Sequence, residues 1–345
     1  DSDTGSIHNT AMNTQTHRQP EKEHLGRSFG WHNATQFLGA LNDNIFQGLM
    51  IFFVIGLVGL DKAPNVSAVA GIIFVVPFLL LTPYAGILAD RFSKRNIIVL
   101  TKLAELAIMA LGTAMFLVGG TLGQYGIYTV LFLMCTQSAF FGPCKYGIIP
   151  ELVRTEQLSK ANSFLEGLTY LSIVLGSAAA PFLAESTGQR FAAAGLACVL
   201  ISAAGVACSL RIGRTPPLGN PSHASVFFFR DIAQTFSQIK HDKELVLVIL
   251  ANAYFMLLGG FAKVNLIPYG VEVCNATAIQ SGYLFVTAAV GIGVGSFLAG
   301  KLSRRSIEFG IVPLGAVGMA LSSIGLGLLR RQTMAPAGWL DMIRL

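Results

Sequence analysis

The sequence predicts an all-α integral membrane protein: a six-helix N-terminal bundle followed by an incomplete C-terminal bundle. Three observations predict it. The 345 residues are 53% hydrophobic and only 12% charged, about half the charge that a water-facing surface carries. The apolar residues gather into nine stretches, each near the roughly 20 residues that a helix needs to cross a bilayer. Lysine and arginine concentrate in alternate connections between those stretches, the pattern of a chain threaded through a membrane.

The stretches lie near 34–59, 66–89, 97–119, 124–142, 159–184, 190–210, 244–269, 278–300 and 309–329. Residues 1–30 are polar, lack the apolar centre of a signal peptide, and read as a disordered cytoplasmic tail. The second connection carries Arg91, Lys94 and Arg95, the fourth Lys145 and Arg154, and the eighth Arg304 and Arg305. The sixth, the longest, has five basic residues, whereas the odd connections hold only Lys62 and Arg190. Even connections and the N-terminus are therefore expected in the cytoplasm. The net charge of +6 reflects this topology, and no nucleic-acid partner is read from it.

Residues 31–212 form the first bundle, 213–243 a cytoplasmic linker opened by Pro216 and Pro217, 244–329 the first three helices of the second bundle, and 330–345 a tail. Within the linker, 226–240 has the spacing of an amphipathic surface helix. The bundles look like copies, because Gly86 and Arg91 are matched by Gly300 and Arg305 at one offset. Parallel repeats of this kind are a transporter architecture with the site between the halves.

Several residues are expected to carry the mechanism. Asp43 lies between Asn42 and Asn44 inside the first span, where a charge costs about 2.5–3.5 kcal/mol and normally faces a cavity or a partner. Glu166 and Lys263 raise the same question, and Lys102 is close enough to a helix end to snorkel. In GILADRFSKR, Gly86 is expected to let the second helix approach a neighbour and Asp90 to pair with a cation or cap a helix. Arg91, Lys94 and Arg95 are expected to hold that loop at the membrane surface as a conformational latch. In FFGPCKYGIIPEL, Gly142 and Pro143 are expected to break the fourth helix and leave Lys145 facing an anionic headgroup. Gly167, Gly176, Ser177, Ala178 and Ala179 permit tight helix contact in the fifth span.

GILADRFSKR resembles the loop signature of the major facilitator superfamily. QFLGALNDN, GPCKYGIIPEL, KANSFLEG and NAYFMLLGGFAKVNLIPYG, in that order, resemble the bacterial lysophospholipid transporter family within it, over residues 33–329. The resemblance implies movement of lysophospholipids across the inner membrane, with Asp43 and Lys145 handling the headgroup. It also implies an acyltransferase, fused or separate, as a possible partner. Lys263 departs from the pattern. Two six-helix halves are expected in the superfamily, and nine spans with no initiator methionine read as a truncated or processed chain. Two other readings stand beside the transporter: a noncatalytic module or anchor for an acyltransferase, and an exporter of another amphiphile. No enzyme activity, cofactor or metal is read. None of the six histidines has an aspartate five residues on, as acyltransferases of the fused type do, and the five cysteines form no ligand cluster.

Overall fold

A helix covers each of the nine apolar stretches. The computed structural model describes residues 22–59, 62–215, 237, 239–240, 242–274, 278–302 and 310–328. The long helices are α1 (Lys22–Val58), α2 (Ala63–Arg91), α3 (Lys94–Val118), α4 (Gly120–Gly147), α6 (Leu158–Ser186), α7 (Phe191–Leu210), α8 (Lys243–Glu272), α9 (Ala278–Leu302) and α10 (Ile311–Leu328). A single turn, α5 (Ile149–Leu152), sits in the fourth connection. Among the described residues, eight helices contain a stretch long and apolar enough to cross a membrane. The 226–236 part of the proposed surface helix, Arg304, Arg305 and the tail from 330 lie outside the described residues.

In the first bundle α1 packs along α6 and α7, α2 lies on α4, and α3 is wedged between α4 and α7. Its interior is layered. At the basic end, Ile97, Ile98, Phe141, Cys144, Ile148 and Leu152 form an apolar plate with Phe29 and Trp31 packed against it. At the far end, Phe46, Leu49, Phe53, Phe116, Ile127, Leu131 and Met134 belong to a larger apolar core. A polar layer separates the two.

Two boundaries depart from the sequence reading. Residues 22–30 are not a disordered tail: α1 begins at Lys22, and the apolar plate holds its first turns through Phe29 and Trp31. Ser28 and Arg211 tie this segment to the end of α7, since Ser28 Oγ accepts from Gly213 N at 3.1 Å and the Arg211 guanidinium lies 4.7 Å from the Trp31 ring centre. Pro143 does not end α4, which continues to Gly147. A proline removes one backbone donor, and here the last turn is held from outside: His32 Nε2 donates to the Lys145 carbonyl at 2.9 Å.

Small residues set the helix spacing in the fifth span as expected. A β-carbon at Gly176 would collide with the Leu41 carbonyl and Asn44, one at Gly48 with Ala180, and one at Gly167 with Ser296 of α9. The α3–α4 turn uses Gly119 and Gly120 at φ +63° and +55°, left-handed values that an L side chain resists. The bundles meet where α9 packs along α6; Leu266 and Ile292 pack against Val174.

Candidate functional site

Three consecutive residues on a helix point about 100° apart, so Asn42, Asp43 and Asn44 do not form one site. Asn42 turns into the bundle interior, fully buried, and its Nδ2 donates to Glu105 Oε1 at 3.2 Å and to Ser202 Oγ at 2.8 Å. Asp43 faces α4 and accepts a hydrogen bond from Ser138 Oγ on Oδ2 at 2.7 Å. Its Oδ1 is buried with no hydrogen bond. Asn44 lies against α6 at Gly176 and donates to the Ala40 carbonyl at 2.8 Å.

Lys102 does not snorkel. It is 2% exposed and pairs with Glu105, 1% exposed, at 2.5 Å. Its ammonium lies 4.7 Å from the Phe141 ring centre, in a notch that a side chain at Gly39 would fill. Gln137 Nε2 also donates to Glu105 Oε2 at 3.2 Å. Donors from α1, α3 and α4 thus converge on one carboxylate, and Asn42 links it to Ser202 of α7. This is a satisfied buried pair, whose work is to fix how four helices sit together.

Lys145 is different. It is 8% exposed, and its one hydrogen bond to a described residue is to the neutral Thr169 Oγ1 at 2.7 Å. The Thr169 hydroxyl lies 3.0 Å from Gln36 Oε1 and 2.8 Å from the Leu165 carbonyl. No described carboxylate comes within salt-bridge distance of Lys145, whereas Lys94 and Lys102 each have one. Its flank is the Tyr146 ring, 5.0 Å away. Glu166, one turn before Thr169 on α6 and half-buried, is near enough to interact electrostatically with Lys145, Tyr146 and Tyr170.

These groups form a polar seam. His32, Gln36 and Asp43 recur on one face of α1, and Ser138 and Lys145, seven residues apart, share a face of α4. The two stripes run antiparallel, His32 meeting Lys145 and Asp43 meeting Ser138, and Thr169 closes the basic end. The sequence reading named Asp43 and Lys145 but missed His32, Gln36, Ser138 and Thr169. The 4- and 7-residue spacing of polar residues within the first span was the available signal.

The expected latch has other partners than those foreseen. The exposed side chain of Asp90 makes no hydrogen bond or salt bridge with a described residue, and the Arg91 side chain makes none either. Gly86 faces open space rather than a neighbour, because α2 packs chiefly on α4 and leaves its other side uncovered. The clasp is instead Lys94 to Glu151 at 2.7 Å, together with Arg95, which donates to the Leu210 and Ile212 carbonyls at 3.1 and 3.4 Å. Lys263 lies in α8, and its side chain falls outside the described residues. No group of His, Cys, Asp and Glu suited to a metal occurs among the described residues.

The sequence profile described as Major Facilitator Superfamily matches residues 43–343. Among curated proteins, the chain is similar to the lysophospholipid transporter LplT of Cronobacter sakazakii, at 30% identity over 276 residues, or 77% of this chain and 64% of that protein. It is 30% identical to the protein of that name from Citrobacter koseri, over 82% of this chain and 68% of the relative. With the one from Serratia proteamaculans it shares 28% identity over 88% and 73%. Among solved structures, the POT family transporter PepTSo aligns with a TM-score of 0.46 and 17% identity, covering 83% of this chain and 56% of that one. The chain spans 64% of the length of the first of these curated relatives.

Proposed function

The chain belongs to the Major Facilitator Superfamily, and from that premise we propose that it moves lysophospholipids across the inner membrane by alternating access of its two helix bundles. The observation that carries the substrate is Lys145. A buried ammonium with one neutral hydrogen-bond partner is costly, since desolvation is repaid only by a counter-charge and further hydrogen bonds. A phosphate supplies both, and every lysophospholipid carries one. Thr169 and Gln36 fix the ammonium so that its two remaining N–H donors are available to the phosphate oxygens.

The acyl chain needs no enclosed pocket. Leu79, Leu80 and Tyr84 on α2 are exposed apolar surface, and a single chain passing along such a surface stays in contact with lipid while the headgroup travels the seam. The even connections face the cytoplasm in this reading, by the distribution of basic residues. An acyltransferase, fused or separate, is the natural consumer of the delivered lipid.

The direct test is uptake of labelled lysophosphatidylethanolamine into vesicles reconstituted with the chain. We expect saturable uptake that falls sharply for Asp43→Asn, whose parent carboxylate lies on the seam. Uptake no faster than in protein-free vesicles, or uptake competed equally by an unrelated amphiphilic drug cation, would remove lysophospholipid as the substrate.

A further inference from the structure

Lys145 and Asp43 stand at two levels of one seam, seven residues apart along α1 if the first is counted from Gln36, and seven apart along α4 from Ser138 to Lys145. At 1.5 Å per residue that is on the order of 10 Å. A headgroup whose phosphate sits on Lys145 carries any ammonium only two carbons farther on, so that ammonium does not reach Asp43. A nearer acceptor is present. Glu166 is i−3 to Thr169, the residue that touches Lys145 Nζ, and residues three apart share a helix face. Its carboxylate forms no salt bridge with a described residue. Tyr170, one turn on and so on the same side, reaches across to the second bundle, its hydroxyl 3.4 Å from Met256 Sδ. The Tyr146 ring lies beside Lys145 on α4. A carboxylate with two tyrosines around it suits an ammonium group, through charge and through the negative faces of the rings.

Building on the lysophospholipid reading, we infer that Glu166, between Tyr146 and Tyr170, is the subsite for the headgroup ammonium of a zwitterionic lysolipid whose phosphate is held by Lys145, and that Asp43 is a separate station farther along the path. Glu166 then acts as a specificity residue. It attracts a headgroup that ends in a cation and repels one that carries only the phosphate charge. Asp43 does not discriminate between them while the phosphate is held by Lys145, because at the distance between the two levels it touches neither headgroup. The contact of Tyr170 with Met256 places the ammonium subsite at the boundary between the bundles, where engagement of the ligand and movement of the bundles can be coupled.

The test is equilibrium binding of two labelled lipids with the same acyl chain, zwitterionic lysophosphatidylethanolamine and anionic lysophosphatidylglycerol, to the full chain in nanodiscs. The readout is the ratio of the two affinities. For Glu166→Gln, an isosteric change at a half-buried position, the ratio should shift about tenfold toward the anionic lipid, the size expected for loss of one charge-assisted contact. For Asp43→Asn the ratio should stay at the parent value. An unshifted ratio in Glu166→Gln, or a shift of similar size in Asp43→Asn, overturns the assignment while leaving the lysophospholipid reading intact. If the unaltered chain binds neither lipid, that reading fails and the assignment falls with it.

Discussion

Remove the ammonium of Lys102, and the Glu105 carboxylate remains in the bundle interior with only the amide donors of Asn42 and Gln137. An orphaned buried charge of this kind costs about 3–5 kcal/mol. Lys102→Met should therefore lower the thermal midpoint of the detergent-solubilised chain by many degrees, and a midpoint equal to the parent's would show that the pair is not structural. Lys145→Met should behave oppositely. It removes a buried cation that has no carboxylate within salt-bridge distance, so without ligand its midpoint should match or exceed the parent's, while stabilisation by added lysolipid disappears. A fall as large as that of Lys102→Met would make Lys145 a packing residue. The i, i+3 spacing of Lys102 and Glu105 was legible in the sequence as a possible helix pair. Which of the lysines lacks a carboxylate was not, because that depends on partners such as Glu151 for Lys94, 57 residues away.

At the scale of the helices, length and apolarity gave the nine long helices, because a bilayer imposes a sharp minimum on an apolar stretch. Ends were less legible, since local composition does not reveal what will dock there. Residues 22–30 look polar, yet Phe29 and Trp31 anchor them to the apolar plate. Gly142 and Pro143 look like a stop, yet α4 runs on to Gly147. Pro143→Ala should consequently be tolerated, with helicity by circular dichroism and lysolipid binding both kept; loss of binding would show that the proline shapes the seam. Gly176→Leu should not be tolerated. Its side chain would drive α6 away from Leu41 and Asn44 and move Thr169 off Lys145, which should appear as weakened lysolipid binding in a protein that still inserts. Unchanged binding would mean that the α1–α6 spacing does not set the site.

Across the whole molecule, the basic residues of the even connections predicted a common end. At that end Lys94, Arg95, Glu151 and the carbonyls of Leu210 and Ile212 are joined. The motif spelled out the loop but not its bonds, and Asp90, the residue it emphasised, has no salt bridge to a described residue. Alternating access requires α6 and α9 to shift where the bundles meet. Gly167→Leu, whose β-carbon alone would lie 2.9 Å from Ser296 Cβ, should wedge this contact and lower uptake; full uptake by the variant would show that close approach of the two helices here is not needed. In the proposed mechanism Lys145, above all, holds the phosphate of the lipid. The most direct measurement compares binding of lysophosphatidylethanolamine with binding of a monoacylglycerol of the same chain length, which has no phosphate, in the parent and in Lys145→Met. The parent should prefer the phosphate-bearing lipid by about tenfold or more and the variant should lose that preference; a variant that keeps it would show that Lys145 does not hold the phosphate.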